Sequence, residues 1–255
     1  MTTPHLEDCD VLILCGGKGT RLQSVVRDRP KPMVVIDGRP FVDRLVDLCE
    51  RQGVRRMIFC TGYLGDQVAA WYAGHPRTCE FVFSRERTPL GTAGAVKHAA
   101  GLIRSNPFLV MNGDSICQTD LRGVLACHAA AGGPATVTLT PADTRTDAGC
   151  VTMDRHGRLT AFAETHAGST APYHNAGIYV FDRSVLDLIP PGQAVSLEQD
   201  LLPGLLGSGA YGYVSRQPLY DIGTPERLAA YAGLACGDTR SEAGRGRPRL
   251  AKEAR

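Results

Sequence analysis

Short aliphatic runs and amphipathic stretches alternate along the first 114 residues of the chain. Val11–Cys15 (VLILC) contains no polar residue and ends on Gly16–Gly17, the pattern of a buried strand entering a glycine-rich turn. From Phe41 to Gln52, the apolar positions Phe41, Leu45, Leu48 and Cys49 share one helical face. Arg55–Thr61 (RRMIFCT) reads as a second strand, Asp66–Ala73 as a second helix and Glu80–Ser84 (EFVFS) as a third strand. Ala93–Ile103, with apolar Val96, Ala100 and Ile103, predicts a third helix, and Pro107–Asp114 (PFLVMNGD) a fourth strand ending in a polar turn.

This alternation predicts an α/β, Rossmann-like fold: a mixed, mostly parallel sheet flanked by helices on both faces. Such sheets bind ligands at the carboxyl ends of their strands. GGKGTR and NGDS each follow a strand directly, so they are expected on one rim. The second half is less regular. Ala135–Thr140 and Ala176–Phe181 read as strands, Cys150–Met153 and Leu159–Ala163 as a hairpin closed by the turn DRHGR, and Tyr211–Val214 as a short extended segment. Ser196–Leu206 and Thr224–Ala235 read as helices, and the whole second half is expected to extend the same sheet.

At 255 residues the chain can bury one substantial core, and 43% hydrophobic with 21% charged residues is ordinary for a globular enzyme. From 237 to 255, six Lys/Arg stand against three Asp/Glu, a net of +3, which leaves the rest of a +2 chain at −1. A nearly neutral body carries no sign of a nucleic-acid surface, and the basic tail is expected to be disordered. No apolar run approaches bilayer length, and Met1–Asp10 is polar and acidic, unlike a signal peptide. A cytoplasmic protein without a membrane partner is expected. The nine cysteines form no CxxC pair, which favours buried, reduced thiols over a zinc site.

GGKGTRL (Gly16–Leu22) is the sharpest local signal. Glycines after a strand let backbone N–H groups approach phosphate oxygens, and Lys18 and Arg21 add charge beside them. The Walker spacing GxxxxGK[ST] is missing, and Leu22 stands where a GxGxxG fingerprint would need glycine. In RPKPM (Arg29–Met33), prolines on both sides of Lys31 restrict its backbone.

GGxGTRL followed by PKPM resembles the signature of the sugar-1-phosphate nucleotidyltransferase family, and TPLGTAGAV, NGDS, NAGIY and YDIGTPE follow in family order between Thr88 and Glu226. The resemblance covers roughly residues 10 to 235. It implies the nucleotide-diphospho-sugar transferase fold as one domain over 1–236, with a nucleotide-binding half (about 10–115) and a sugar-binding half (about 116–236). It also implies a nucleoside triphosphate and a sugar 1-phosphate as substrates. Mg²⁺ would be held by Asp114 and Asp221, since a hard divalent ion takes one or two carboxylates plus phosphate oxygens. By the same resemblance, Cys15, Gly16, Gly17, Gly19, Thr20, Arg21, Glu86, Gly91 and Thr92 belong to the nucleotide site. Arg21, Lys31 and Asp114 carry the catalysis, and Asn112, Gly113, Glu164, Asn175, Gly177 and Glu198 hold the sugar.

Glu86 bears on the base. An ionised carboxylate only accepts hydrogen bonds, which suits the N1–H and N2–H of guanine and meets the O4 of uracil or thymine badly. The pattern resembles the heptose 1-phosphate and mannose 1-phosphate guanylyltransferases, and the short connections together with the lack of a C-terminal domain point to the heptose type. One departure stands out: Thr165 follows Glu164 where the family carries a lysine that contacts the sugar phosphate, and His166 is a candidate substitute. A non-catalytic binding module of the same fold and a nicotinamide-dependent dehydrogenase are the competing classes. A homo-oligomer is left open.

Overall fold

The structure, a computed structural model, describes residues 4–17, 20–22, 26–143, 145, 149–163 and 171–243. In chain order its elements are β1 (Asp10–Cys15), β2 (Val35–Ile36), β3 (Arg39–Pro40), α1 (Phe41–Arg51), β4 (Arg56–Thr61), α2 (Asp66–Gly74), β5 (Glu80–Arg85), α3 (Gly91–His98), β6 (Phe108–Asn112) and β7 (Ser115–Cys117). Then follow α4 (Leu121–Ala131), β8 (Ala135–Pro141), β9 (Cys150–Met153), β10 (Leu159–Ala163), β11 (Tyr173–Phe181), α5 (Leu202–Leu205), β12 (Ala210–Val214), β13 (Leu219–Asp221) and α6 (Pro225–Ala243).

Among the described residues nine strands form one mixed sheet. Its parallel part runs β5-β4-β1-β6, with Val11 opposite both Met57 and Leu109. β11 lies antiparallel to β6, β8 and β9, and β12 closes the far edge parallel to β8. Successive side chains of a strand point to opposite faces, so β1 divides the core in two. Val11 and Ile13 pack with α1, α2 and α4 residues such as Leu45, Val68 and Val124. Leu12 packs on the other face with Ala93 and Val96 of α3 and with Leu197 and Leu202. Each of the fully buried valine, leucine and isoleucine side chains among them contributes about 1.5–3 kcal/mol. The chain leaves β1 for β4 and β5 on one side, then returns to β6 on the other, and a crevice opens at such a reversal of strand order.

Several boundaries differ from the sequence reading. The third helix, expected over 93–103, is α3 followed by a 3₁₀ turn at Ala100–Leu102, where Gly101 weakens α-helical continuation. The segment 196–206 begins as a π-helical turn, Leu197–Leu201, because Pro203 has no N–H to return to the preceding turn. The fourth strand stops at Asn112, which leaves Gly113 and Asp114 as the turn into β7. Helix α4, absent from the sequence reading, is capped by the Asp120 carboxylate accepting from Arg122 N and ended by Gly132 in the left-handed region. Helix α6 extends to Ala243, past position 236, where a disordered tail was expected to begin, since adding a turn to an existing helix needs no new nucleus.

No helix among the described residues is long and apolar enough to cross a membrane. The cysteines among them are free thiols, mostly buried. Burial pushes Cys9 up to about 11 and Cys60 up to about 12, so these are inert core groups at neutral pH.

Candidate active site

Two carboxylates meet at the crevice, and the pairing of small strands brings them there. β13 lies antiparallel to β7 with Asp221 opposite Ser115, and Ile222 N donates to the Asp114 carbonyl at 3.0 Å. Gly113 N donates to Leu14 O at 3.0 Å, which fastens the turn carrying Asp114 to the end of β1. Lys31 reaches the same point from a 3₁₀ turn, Lys31–Met33, whose Pro32 and Met33 are buried beneath it. Its Nζ stands 2.6 Å from Asp114 Oδ2. The cavity here, about 270 Å³, is lined by Cys15, Gly16, Gly17, Arg21, Lys31, Asp114 and Gly223, among others.

Asp221 is held on several sides. Oδ1 accepts from Gly223 N at 2.8 Å and from Arg227 at 3.1 Å, and Oδ2 lies 3.4 Å from an Arg145 nitrogen. Both carboxylates therefore carry cationic partners. Their donor set consists of oxygens only, and among the described residues no three or more His, Cys, Asp and Glu are grouped so that they could hold a metal ion by themselves. Two neighbouring carboxylates with room for phosphate oxygens fit a hard divalent ion such as Mg²⁺, which keeps several non-protein ligands.

A second cavity, about 990 Å³, opens from Gly16 and Gly17 toward Gly62, Tyr63, Glu86 and Pro89. Glu86 N extends the β4–β5 ladder by donating to Thr61 O at 2.9 Å, and Oε2 accepts from Leu90 N at 3.3 Å. A Cβ at Gly62 would lie 2.7 Å from Glu86 Oε1, and one at Gly16 3.0 Å, so glycine at both positions lets the carboxylate keep this place. Burial raises the Glu86 pKa, against opposing effects from the Leu90 N–H and His98. A ligand donating to this carboxylate would offset that desolvation. Gly62 and Tyr63 went unnoticed in the sequence; the signal was a glycine directly after the RRMIFCT strand.

The third part lies beneath β11. Register against β8 shifts between Asn175 and Tyr179, a bulge of the kind that re-aims side chains at sites. At its centre Gly177 has φ +70°, and a Cβ there would meet Asn112 Nδ2 at 2.8 Å. Asn175 Oδ1 accepts from Gly177 N at 3.0 Å, and its Nδ2 donates to the Tyr179 hydroxyl at 2.7 Å. That hydroxyl donates to Glu198 Oε1 at 3.0 Å. Glu198 Oε2 accepts from Thr92 Oγ1 at 2.8 Å and from Ser196 Oγ at 3.1 Å. Burial, with Glu198 adding to it, drives the Tyr179 pKa well above the tyrosine range, so the hydroxyl keeps its proton.

The structure thus brings Cys15, Gly16, Gly17, Arg21, Lys31 and Asp114 to one cavity. Glu86, Gly91, Thr92, Asn112 and Gly113 line an adjoining space of about 290 Å³. Asn175, Gly177 and Glu198 join it through the Tyr179 and Asn112 contacts. Cys15 is a wall of the site, fully buried with its thiol pKa far above the usual range. Thr92, assigned from the sequence to the nucleotide, lines the adjoining space while its hydroxyl accepts from Leu197 N and donates to Glu198. Lys18, Gly19, Glu164, Thr165 and His166 lie outside the described residues, and of Thr20 only the backbone is described. Tyr179 was missed as a site residue, although a tyrosine in an otherwise apolar strand needs a partner for its hydroxyl.

A family profile described as nucleotidyl transferase matches residues 10–233. Mannose-1-phosphate guanylyltransferase of Mycobacterium tuberculosis is 35% identical over 221 residues, 85% of this chain and 62% of that protein. D-glycero-alpha-D-manno-heptose 1-phosphate guanylyltransferase of Aneurinibacillus thermoaerophilus is 31% identical over 218 residues, 85% of this chain and 94% of its own length. The chain therefore spans less than two thirds of the first of these relatives and nearly all of the second. Among solved structures, HddC from Yersinia pseudotuberculosis superposes with a TM-score of 0.79 at 31% identity, over 89% of this chain and 99% of that one. The same protein complexed with GMP-PN superposes with a TM-score of 0.78 at 30% identity, over 89% and 99% of the two chains.

Proposed function

The chain belongs to the nucleotidyl transferase family, and from that premise and the site geometry we propose that it transfers a guanylyl group from GTP to a sugar 1-phosphate. An oxygen of the sugar phosphate forms a bond to the α-phosphorus of GTP while the α–β bridging P–O bond breaks, giving a GDP-sugar and pyrophosphate. The observation that carries the proposal is the placing of the Asp114–Lys31 pair and Asp221 at one end of a crevice whose other end holds the Glu86 carboxylate.

The protein's task in such a reaction is positioning and charge neutralisation. Gly16 and Gly17 allow close approach of the triphosphate to the backbone, and Arg21 and Lys31 carry positive charge toward the departing pyrophosphate. Glu86 accepts from N1–H and N2–H of guanine, a pairing that a pyrimidine with an O4 acceptor cannot copy. Mg²⁺, when bound by Asp114 and Asp221, neutralises charge on the reacting phosphates. The Asn175–Tyr179–Glu198 network offers fixed acceptors and donors to sugar hydroxyls.

We assign a sugar of manno configuration, common to the two named relatives, with D-glycero-D-manno-heptose 1-phosphate as preferred acceptor and mannose 1-phosphate as the second. The test is a matrix of nucleoside triphosphates against sugar 1-phosphates, with pyrophosphate release in Mg²⁺ as readout. GTP with one of the manno sugars is expected to be fastest. A preference for dTTP, UTP or CTP overturns the role of Glu86, and activity only with gluco sugars overturns the acceptor.

A further inference from the structure

The loop between β8 and β9 is tied to β11 at both ends. Ala142 N donates to Pro172 O at 2.9 Å, and Gly149 O accepts from Asn175 N at 2.9 Å. His174 Nε2, fully buried on β11, lies 3.3 Å from Asp143 Oδ1. Asp143 in turn grips Arg145: its oxygens accept from Arg145 Nε at 2.8 and 2.9 Å, and Oδ1 also takes Arg145 N at 2.9 Å. The guanidinium is thereby aimed across the crevice to Asp221 Oδ2, at 3.4 Å. It is mostly buried, with 18% of the side chain exposed.

Three features set Arg145 apart from the other cations at the crevice. Lys31 and Arg21 enter from the loops after β1, on the side of Gly16 and Gly17. Arg227 comes from α6 and meets Asp221 at 3.1 Å. Arg145 is held from the β11 side, through Asp143 and His174, and reaches Asp221 from there. Its contact with Asp221 is at the long limit for a hydrogen bond, whereas its contacts with Asp143 are short. The first can be exchanged while the second keeps the guanidinium in place.

We propose that Arg145 grips the phosphate of the incoming sugar 1-phosphate, with Asp143 and His174 as its positioning residues. In the free protein Asp221 occupies the guanidinium. When the sugar phosphate enters beside Asp221, the outward face of Arg145 passes to its oxygens, a planar donor pair meeting a tetrahedral anion. This holds the attacking oxygen on the β11 side of the α-phosphate, opposite the pyrophosphate cations Arg21 and Lys31. The inference rests on the guanylyl-transfer reading above and adds to it the residue that receives the acceptor.

Steady-state kinetics of wild type, Arg145→Ala, Arg145→Lys and His166→Ala test the proposal, with GTP and whichever of mannose 1-phosphate or D-glycero-D-manno-heptose 1-phosphate the wild type uses. Arg145→Ala is expected to raise the KM for the sugar phosphate roughly 10- to 100-fold, the value of a charge-assisted contact, with the KM for GTP within twofold. Arg145→Lys should recover part of the loss. Mn²⁺ binding followed by electron paramagnetic resonance, without substrates, should be unchanged or tighter, since a competitor for Asp221 is gone. Weaker Mn²⁺ binding with an unchanged sugar-phosphate KM would show that Arg145 only supports Asp221, and would overturn the proposal. A raised KM in His166→Ala with none in Arg145→Ala would do the same. Absence of turnover by the wild type with every GTP and sugar pair would instead remove the guanylyl reading itself. Should Arg145→Ala fail to fold by circular dichroism, Asp143→Asn, which loosens the guanidinium without deleting it, must raise the same KM or the idea fails.

Discussion

On the β1–β6 side of the crevice, the groups that face a ligand sit at the ends of regular parallel strands and are largely backbone or single charged side chains. On the β11 side they sit on a bulge and are joined by a relay of hydrogen bonds, Asn175 to Tyr179 to Glu198 to Thr92. On the first side backbone contacts place the groups: Gly113 N on Leu14 O fixes the turn after β6, and Ile222 N on Asp114 O fixes Asp114 beside the strand that carries Asp221. The second is cooperative: each member takes its position from the next, so one loss leaves a buried partner unsatisfied. Phosphate handling needs charge at a fixed height above a strand end. Sugar recognition, the task proposed for the relay, needs several hydroxyl-sized contacts at fixed angles.

Three substitutions separate the two sides. The largest effect is expected of Asp114→Ala on the strand-end side, where loss of the central carboxylate should reduce pyrophosphate release on the order of 10³-fold. Retention of a tenth of the wild-type rate would remove Asp114 from the centre of the chemistry. Next is Glu86→Gln, which should raise the KM for GTP roughly 10- to 100-fold while leaving the sugar-phosphate KM alone. The pH dependence carries a sign. Guanine favours ionised Glu86, whose pKa in the free protein is raised by burial. GTP affinity should therefore be full above that raised value and fall as pH drops through it, earlier than for an ordinary carboxylate. A GTP KM in the wild type as flat with pH as in Glu86→Gln would refute the assignment. The smallest change is expected of Tyr179→Phe on the relay side. Without the hydroxyl, Asn175 Nδ2 and Glu198 Oε1 each lose the bond they make to it, which should cost about 1–2 kcal/mol in urea denaturation. The sugar-phosphate KM should rise a few-fold with the GTP KM unchanged. Equal effects on both KM values would mean that the two sides are not separable in this way.

The same contrast explains what could be read from the sequence. The parallel strands were legible because VLILC, MIFC and PFLVM are continuous apolar runs of the kind that a doubly covered sheet buries. Gly16, Gly17, Asp114 and Lys31 were legible because they sit next to such runs or between prolines. Helix α4 was readable and overlooked: Leu121, Val124, Leu125 and His128 keep helical spacing between an Asp120 cap and Gly132. The relay was not legible. Thr92 and Glu198 are 106 residues apart, and nothing local to either announces the other. Arg145 had no signal at all, because its role depends on an Asp221 contact 76 positions away.

Helix α3 begins at Gly91 beside the Glu86 cavity, and one residue later the Thr92 hydroxyl ends on Glu198. A shift of the start of α3 on nucleotide binding would reach Glu198 through this bond. Whatever preference a bound nucleotide imposes on the sugar pocket through this bond, a bound sugar phosphate returns in equal measure to the nucleotide. Order of addition can then differ in rate while the ternary complex is the same thermodynamic object by either route. Replacing Thr92 by valine removes this hydroxyl and should weaken whatever coupling passes through it.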